Sequence, residues 1–223
     1  AQVKLNNNIF NLEDYPGSYS LISQSIDEKI VSDNIYNWIR QPKSKPDAII
    51  YVADVNNIRR NLYFCTQLLE LDIPTILLLN MDDLLIEENK FDYIKLKEEL
   101  NILNVIPFSA VTQKGVDSLK ETLADLFVGS KSPENNKMEI GDELLKSIKP
   151  LSGIVESIFH AKGSCRDNLS LRFICNPNHI NSISLNEKDK NVLNEKVDES
   201  ISTFNDDMKP LLTTLESDLR YGW

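Results

Sequence analysis

The sequence predicts an α/β domain built on a mostly parallel sheet, followed by a small all-α domain. Three observations predict it. Residues 48–54 (AIIYVAD) and 75–80 (TILLLN) are continuous apolar runs, as expected of strands buried on both faces. Apolar residues between and after those runs recur at helical spacing. After about Phe127 the strand pattern stops and helical spacing alone remains. Strands alternating with helices imply a sheet covered on both sides.

Taken in order, Gln2–Leu5 and residues 9–13 flank the turn-prone triplet Asn6-Asn7-Asn8 and read as a β-hairpin. The runs at 48–54 and 75–80 are the next strands, and 105–109 (VIPFS) is a shorter one. Ile58, Leu62, Cys65 and Leu69 share one helix face, as do Val116, Leu119, Leu123 and Leu126. Residues 128–138 (VGSKSPENNKM) are polar and turn-rich, a linker. Beyond it, Ile140, Leu144, Ile148, Leu151, Val155 and Ile158 keep helical spacing, with Pro150 expected to kink or split the helix. The series from Leu193 through Val197, Ile201, Phe204, Met208, Leu211 and Leu215 to Leu219 continues the pattern, with Pro210 as its expected break. Residues 169–174 (LSLRFI) fit a short helix or an extended segment. The expected domains are 1–130 and 137–223.

Charge and composition exclude several functions. Lys and Arg number 24 against 34 Asp and Glu, a net charge of −10. Such a surface repels phosphate backbones and anionic headgroups, so nucleic acid is not an expected partner. Three widely spaced cysteines without a C-x-x-C read as reduced thiols, and no apolar run approaches the roughly 18 residues of a bilayer span. The chain is expected to be soluble and cytosolic. Glycine is scarce, at seven residues, and no two make a G-x-x-x-x-G-K-[ST] phosphate cradle.

In open parallel sheets ligands sit at the carboxyl ends of strands. Three strand ends carry polar groups. The first is Asp14-Tyr15-Pro16-Gly17. Asp14 could hold Mg²⁺ through a water, and Gly17 could present its N–H to a terminal phosphate with no Cβ in the way. Alone, D-x-P-G is most often only a turn. Asn80-Met81-Asp82-Asp83 forms the second end. Its N-x-x-D frame selects Asp83, whose carboxylate can accept two hydrogen bonds from the N1–H and N2–H₂ edge of guanine. Adenine lacks that paired edge and would leave a buried Asp83 unpaired. Asn80 would brace neighbouring loops, and Met81 could pack on a base face. The plain alternative is an N-capping Asp. Ser109-Ala110-Val111 is the third end, where small residues would let the Ala110 N–H approach a guanine oxygen.

The three motifs, in order and each at a strand end, resemble the Ras-like GTPase superfamily. Within it, the chain is similar to the ferrous iron transport protein B family. The resemblance is carried by DYPGSYSL (14–21), SIDEKI (25–30), VADVNNIRRNLYFCTQLLELDIP (52–74), NMDD (80–83) and SAVTQKGVDSL (109–119). The family's usual first motif is DLPG followed by TYSL. Here Tyr15 stands for the leucine and Ser18 for the threonine. LRYGW (219–223) is similar to the end of the family's helical domain, just before its membrane domain. The resemblance is specific over 14–119 and looser over the helical part.

It implies a P-loop NTPase G domain that binds GTP and GDP with Mg²⁺, K⁺ being a further candidate ion, and hydrolyses GTP. It also implies a helical regulatory domain and a membrane domain of the same polypeptide beyond Trp223 that conducts Fe²⁺. The implied location is the cytoplasmic face of the bacterial inner membrane, with homo-oligomers as candidate assemblies. The family begins with a strand, a G-x-x-x-x-G-K-[ST] loop, a helix and a switch segment, and the sequence given starts after them. The expectation is therefore a G domain lacking its first strand, P-loop and switch I, and inactive by itself. Ras-like enzymes often place a glutamine just after D-x-x-G to orient the attacking water. Ser18 stands there and cannot reach as far, so no catalytic residue is assigned. Two alternatives remain: a non-catalytic module keeping a partial base pocket, and another Ras-like GTPase with a helical appendage. The pairs His160/Cys165 and Cys175/His179 supply only two metal ligands each and read as structural.

Overall fold

The computed structural model describes residues 1–5, 8–85, 92–127 and 137–222. In chain order its strands and longer helices are β1 (Gln2–Leu5), β2 (Asn8–Asn11), α1 (Ile26–Arg40), β3 (Ile49–Asp54), α2 (Ile58–Leu69), β4 (Thr75–Asn80), α3 (Tyr93–Leu100), β5 (Asn104–Pro107), α4 (Val116–Phe127), α5 (Asp142–Phe159), α6 (Gly163–Cys175), α7 (His179–Ser182), α8 (Glu187–Ser202) and α9 (Leu212–Gly222). They fall into two compact units. Ala1–Tyr15 and Pro46–Asn136 form one, Pro16–Lys45 and Lys137–Trp223 the other.

In the first unit β3, β4 and β5 make a parallel sheet in that order, with Ile50 opposite Ile76 and Ile76 opposite Asn104. The continuous apolar run of β4 follows from this central place. Leu77 and Leu79 enter one core layer, with Ala53, Cys65, Leu69 and Val105. Ile76 and Leu78, pointing the other way, enter a second layer with Phe10, Ile106 and Leu123. Helices α2 and α3 supply Leu62 and Leu96 to the first layer, and α4 supplies Leu119 to the second. Burying each such side chain contributes roughly 1.5–3 kcal/mol. Strands β1 and β2 pair antiparallel as a separate two-stranded sheet, with Val3 opposite Phe10. The second hairpin strand is shorter than the 9–13 expected, and the last strand stops at Pro107, although the Phe108 N–H still donates to the Leu79 carbonyl at 2.9 Å.

The second unit is helical. Its helix α1 went unanticipated, and the reason is local. Ser25 caps it, its hydroxyl accepting from the Glu28 N–H at 3.2 Å, while Glu28 accepts from the Gln24 N–H at 2.8 Å. This S-x-x-E capping signature precedes the apolar face Val31, Ile35, Tyr36 and Ile39. Residues 16–45 therefore cluster with the helical unit, whereas the sequence places them in the first domain.

Of the two outcomes expected at Pro150, a kink or a split, the split does not occur: α5 runs unbroken from Asp142 to Phe159. An interior proline costs about 3 kcal/mol. Burial of Ile148, Leu151, Val155 and Phe159 along one face, where α5 packs on α6 and α8, exceeds that cost. The expected break at Pro210 also lies elsewhere. Helix α8 already ends at Ser202, and Pro210 sits in a short 3₁₀ turn, Lys209–Leu211, that leads into α9. A proline belongs there, since first-turn N–H groups lack helical partners. Residues 169–174 lie inside α6, whose residues from Asn168 to Cys175 are all buried. A helix enclosed on every side shows no amphipathic period, which is why its pattern was ambiguous. The linker at 128–138 falls almost wholly outside the described residues. Among the described residues no helix is long and apolar enough to cross a membrane.

Candidate functional site

Two of the three motifs meet at the carboxyl ends of β4 and β5. Asn80 closes β4, and its Oδ1 accepts the Ala110 backbone N–H at 3.2 Å. That N–H was expected to face a guanine oxygen, and in the structure it donates to Asn80. Met81 follows with φ at 66°, a left-handed backbone that turns the chain sharply out of the strand. Its side chain is 42% exposed. A 3₁₀ turn, Asp82–Leu84, then separates two adjacent carboxylates. Asp82 points inward and is buried. Asp83, for which burial was considered, is exposed.

Buried carboxylates need partners. Asp82 has them: Oδ1 accepts from the Tyr93 hydroxyl and Oδ2 from the Lys114 ammonium. Its own N–H donates to the Phe108 carbonyl at 3.1 Å. Burial, reinforced by the Asp82 carboxylate, pushes the Tyr93 phenol well above the ordinary tyrosine range, so the hydroxyl stays a donor.

The loop after β5 is folded on itself. Ser109 is buried, its N–H donates to the Lys114 carbonyl at 3.1 Å, and its hydroxyl accepts the Thr112 N–H at 3.1 Å. Residues 110–114 are exposed, Val111 most of all at 89%. Gly115 closes the loop with φ at +83°, where a Cβ would lie 2.5 Å from the Pro107 carbonyl oxygen. Only glycine fits that position.

The remaining motif straddles the two units, with Asp14 and Tyr15 in the first and Pro16 and Gly17 in the second. Asp14 and Gly17 are exposed, and nothing lies within 4 Å of where a Cβ on Gly17 would stand. The Tyr15 hydroxyl donates to Glu13 at 2.8 Å, and burial followed by that carboxylate raises its pKa to about 12. Ser18 is buried and donates to the Ser20 carbonyl at 2.9 Å. No group of three or more His, Cys, Asp or Glu among the described residues could enclose a metal ion. A Mg²⁺ ion shared with phosphate oxygens needs only one or two carboxylates, and the exposed Asp14 fits that demand. Cys175 and His179 are both buried; burial lifts the thiol to about 12 and lowers the imidazole to about 4. Tyr36 Oη and Ser182 Oγ engage the His179 ring nitrogens at 2.8 and 2.9 Å, a structural role.

Lys114, Tyr93 and Gly115 were not singled out from sequence. Lys114 and Gly115 lie within SAVTQKG, and a glycine after a polar loop was the available signal. Nothing in the sequence pointed to Tyr93.

A family model described as ferrous iron transport protein B matches residues 1–123. An Fe(2+) transporter FeoB from Staphylococcus aureus (strain MSSA476) is 29% identical over 204 residues, covering 91% of this chain and 28% of that protein. One from Escherichia coli (strain K12) is 35% identical over 119 residues, covering 49% of this chain and 14% of its own length. The chain thus spans less than a third of the curated relatives' length. The cytosolic domain of L. pneumophila FeoB has a TM-score of 0.72 at 23% identity, covering 99% of this chain and 79% of that one. The mGMPPNP-bound NFeoB from S. thermophilus has a TM-score of 0.65 at 25% identity, covering 94% and 74%. These likenesses show the fold, the Ras-like α/β fold with a helical companion.

Proposed function

The chain belongs to the ferrous iron transport protein B family, and from that premise we propose that it binds and hydrolyses GTP to regulate Fe²⁺ uptake by a bacterial transporter. The observation that carries the guanine reading is the junction of the two strand ends. Asn80 ties Ala110 in place while Asp83 stands exposed one turn away. A carboxylate there accepts both donors of the guanine edge, which adenine cannot supply. Met81, half-exposed beside it, offers a flexible apolar surface to the base.

Asp14 would hold Mg²⁺ through a water, and Gly17 would present its N–H to the terminal phosphate; the ion would supply neutralisation of phosphate charge. K⁺ is a further candidate ion. We assign the G domain to 1–130, including residues 16–45 that cluster with the helical unit, and the helical regulatory domain to 137–223. The partners are the membrane domain of the same polypeptide and further copies of the protein, at the cytoplasmic face of the inner membrane. Fe²⁺ is the cargo of that membrane domain. Support comes from the family match and from the S. thermophilus relative solved with mGMPPNP.

Titration of fluorescent GDP and ADP against this chain and against the full-length protein tests the reading. Saturable GDP binding with at least tenfold preference over ADP, and GTP turnover by the full-length protein, are expected. Equal affinity for the two nucleotides would contradict it.

A further inference from the structure

We propose that Asp82 is a positioning residue: through Lys114 and Tyr93 it latches the loop after β5 onto the turn after β4, and so slows release of guanine nucleotide. The release half rests on the guanine reading above; the latch itself does not.

Position and cost both point this way. Asp82 is the spacer of the N-x-x-D frame, with no contact to a base required of it. Yet its side chain is only 7% exposed, at the ligand-facing end of the sheet. Burying a carboxylate is unfavourable unless it is paired. Its cationic partner comes from 32 residues further along, on the other base-facing loop. A capping Asp would bond to backbone N–H groups of its own turn. Asp82 instead ties two loops and the first residue of α3 together.

Beyond its own internal hydrogen bonds, from the Ser109 N–H to the Lys114 carbonyl and from the Thr112 N–H to the Ser109 hydroxyl, the loop it holds has few ties. Residues 110–114 are exposed, so apolar burial contributes almost nothing there. Its ties to the β4 side are polar: Ala110 to Asn80, Asp82 to Phe108, and Lys114 to Asp82. The Lys114 side chain is 54% exposed, so the ion pair sits at the rim, where it can open and where salt weakens it. Turning Asp82 inward also leaves the next residue, Asp83, facing solvent. A latch that fixes both loops holds the guanine donors and acceptors in one arrangement before the base arrives, and mutational effects of this kind fall mostly on dissociation.

The test uses the full chain with Lys114→Met, which keeps the aliphatic stem and alters an exposed terminus, so folding is not at stake. Lys114→Arg, Asp82→Asn and the Asp82→Asn/Lys114→Met pair accompany it. Stopped-flow displacement of fluorescent GDP gives association and dissociation rates, and hydrogen exchange without nucleotide reads the amides of residues 109–114. Lys114→Met is expected to release GDP about tenfold faster, about 1.4 kcal/mol, with association within about twofold. Exchange should quicken across 109–114 and stay unchanged in β4. Raising salt should speed release from the parent and not from Lys114→Met. Lys114→Arg should stay within about twofold of the parent, and the double variant should be no faster than the faster single one. Loop exchange at the parent rate in Lys114→Met would overturn the latch, whatever binds. Quickened exchange with unchanged GDP release would overturn the role in release. A parent that binds no guanine nucleotide would overturn the guanine reading and the release half with it, while exchange still decides the latch.

Discussion

Asp82 and Glu216 are both buried carboxylates held by cations, and they sit in opposite settings. In the first unit Asp82 meets Lys114 at a rim, with the lysine half-exposed. In the second, Glu216 on α9 accepts from Arg172 on α6 and from Arg220 one turn away, at 3.0–3.1 Å, and all three are buried. The same chemistry serves different ends. A rim pair can open through its half-exposed lysine, with Tyr93 still donating to the carboxylate, and suits a loop that must admit a ligand. A buried triad cannot open without stranding charge, so it fixes the pairing of helices.

The largest expected effect separates the two. Glu216→Ala leaves two buried guanidinium groups without their shared carboxylate and should destabilise the chain by about 3–5 kcal/mol in urea unfolding. Lys114→Ala takes the cation from a buried carboxylate that still accepts from Tyr93 and should cost less, about 1–2 kcal/mol. Equal losses would erase the distinction. Next is Gly115→Ala in the rim loop. With φ at +83° and the Pro107 oxygen 2.5 Å from the new Cβ, it should cost about 1–3 kcal/mol and displace the loop, read by unfolding and by GDP affinity.

The helical unit also has a pH dependence of its own. His179 is buried, and its folded pKa is depressed from 6.5 to about 4, by burial first and then by Arg172. The fold favours the neutral ring, so this stability is full above pH 6.5 and is lost as pH falls toward 4. Replacement by His179→Gln should flatten the stability profile between pH 6.5 and 4. A slope unchanged in that variant would assign the effect to other groups. The smallest effect is expected at Ser18, which is buried and donates to the Ser20 carbonyl. Ser18→Ala should leave GTP hydrolysis by the full-length protein within about tenfold of the parent, and a loss of several hundredfold would make Ser18 part of the chemistry.

How far each region could be read from sequence follows the same contrast. Strand β4 was legible because both its faces are buried, which writes a continuous apolar run; β3 carries such a run too, although its Val52 is exposed. The place of Asn80 at the end of β4 was legible because its frame is local. Asp82 was not: its burial depends on Tyr93 and Lys114, 11 and 32 residues away. In the helical unit α5 stays unbroken because packing along it outweighs the local cost of Pro150, and the break expected at Pro210 comes earlier, at Ser202. The capping signature at Ser25 and Glu28 was present in the sequence, and α1 could have been found from it. Its membership in the second unit could not, because Tyr36 meets His179 across 143 residues.

The central claim is that Asp83 reads the guanine edge, and one exchange tests it. Xanthine carries an oxygen where guanine carries the 2-amino group, so an amide at position 83 can donate where the carboxylate must accept. Titrating Asp83→Asn with GDP and XDP should show GDP affinity down at least tenfold and XDP affinity raised above the parent's. Unchanged GDP affinity in Asp83→Asn would contradict the account.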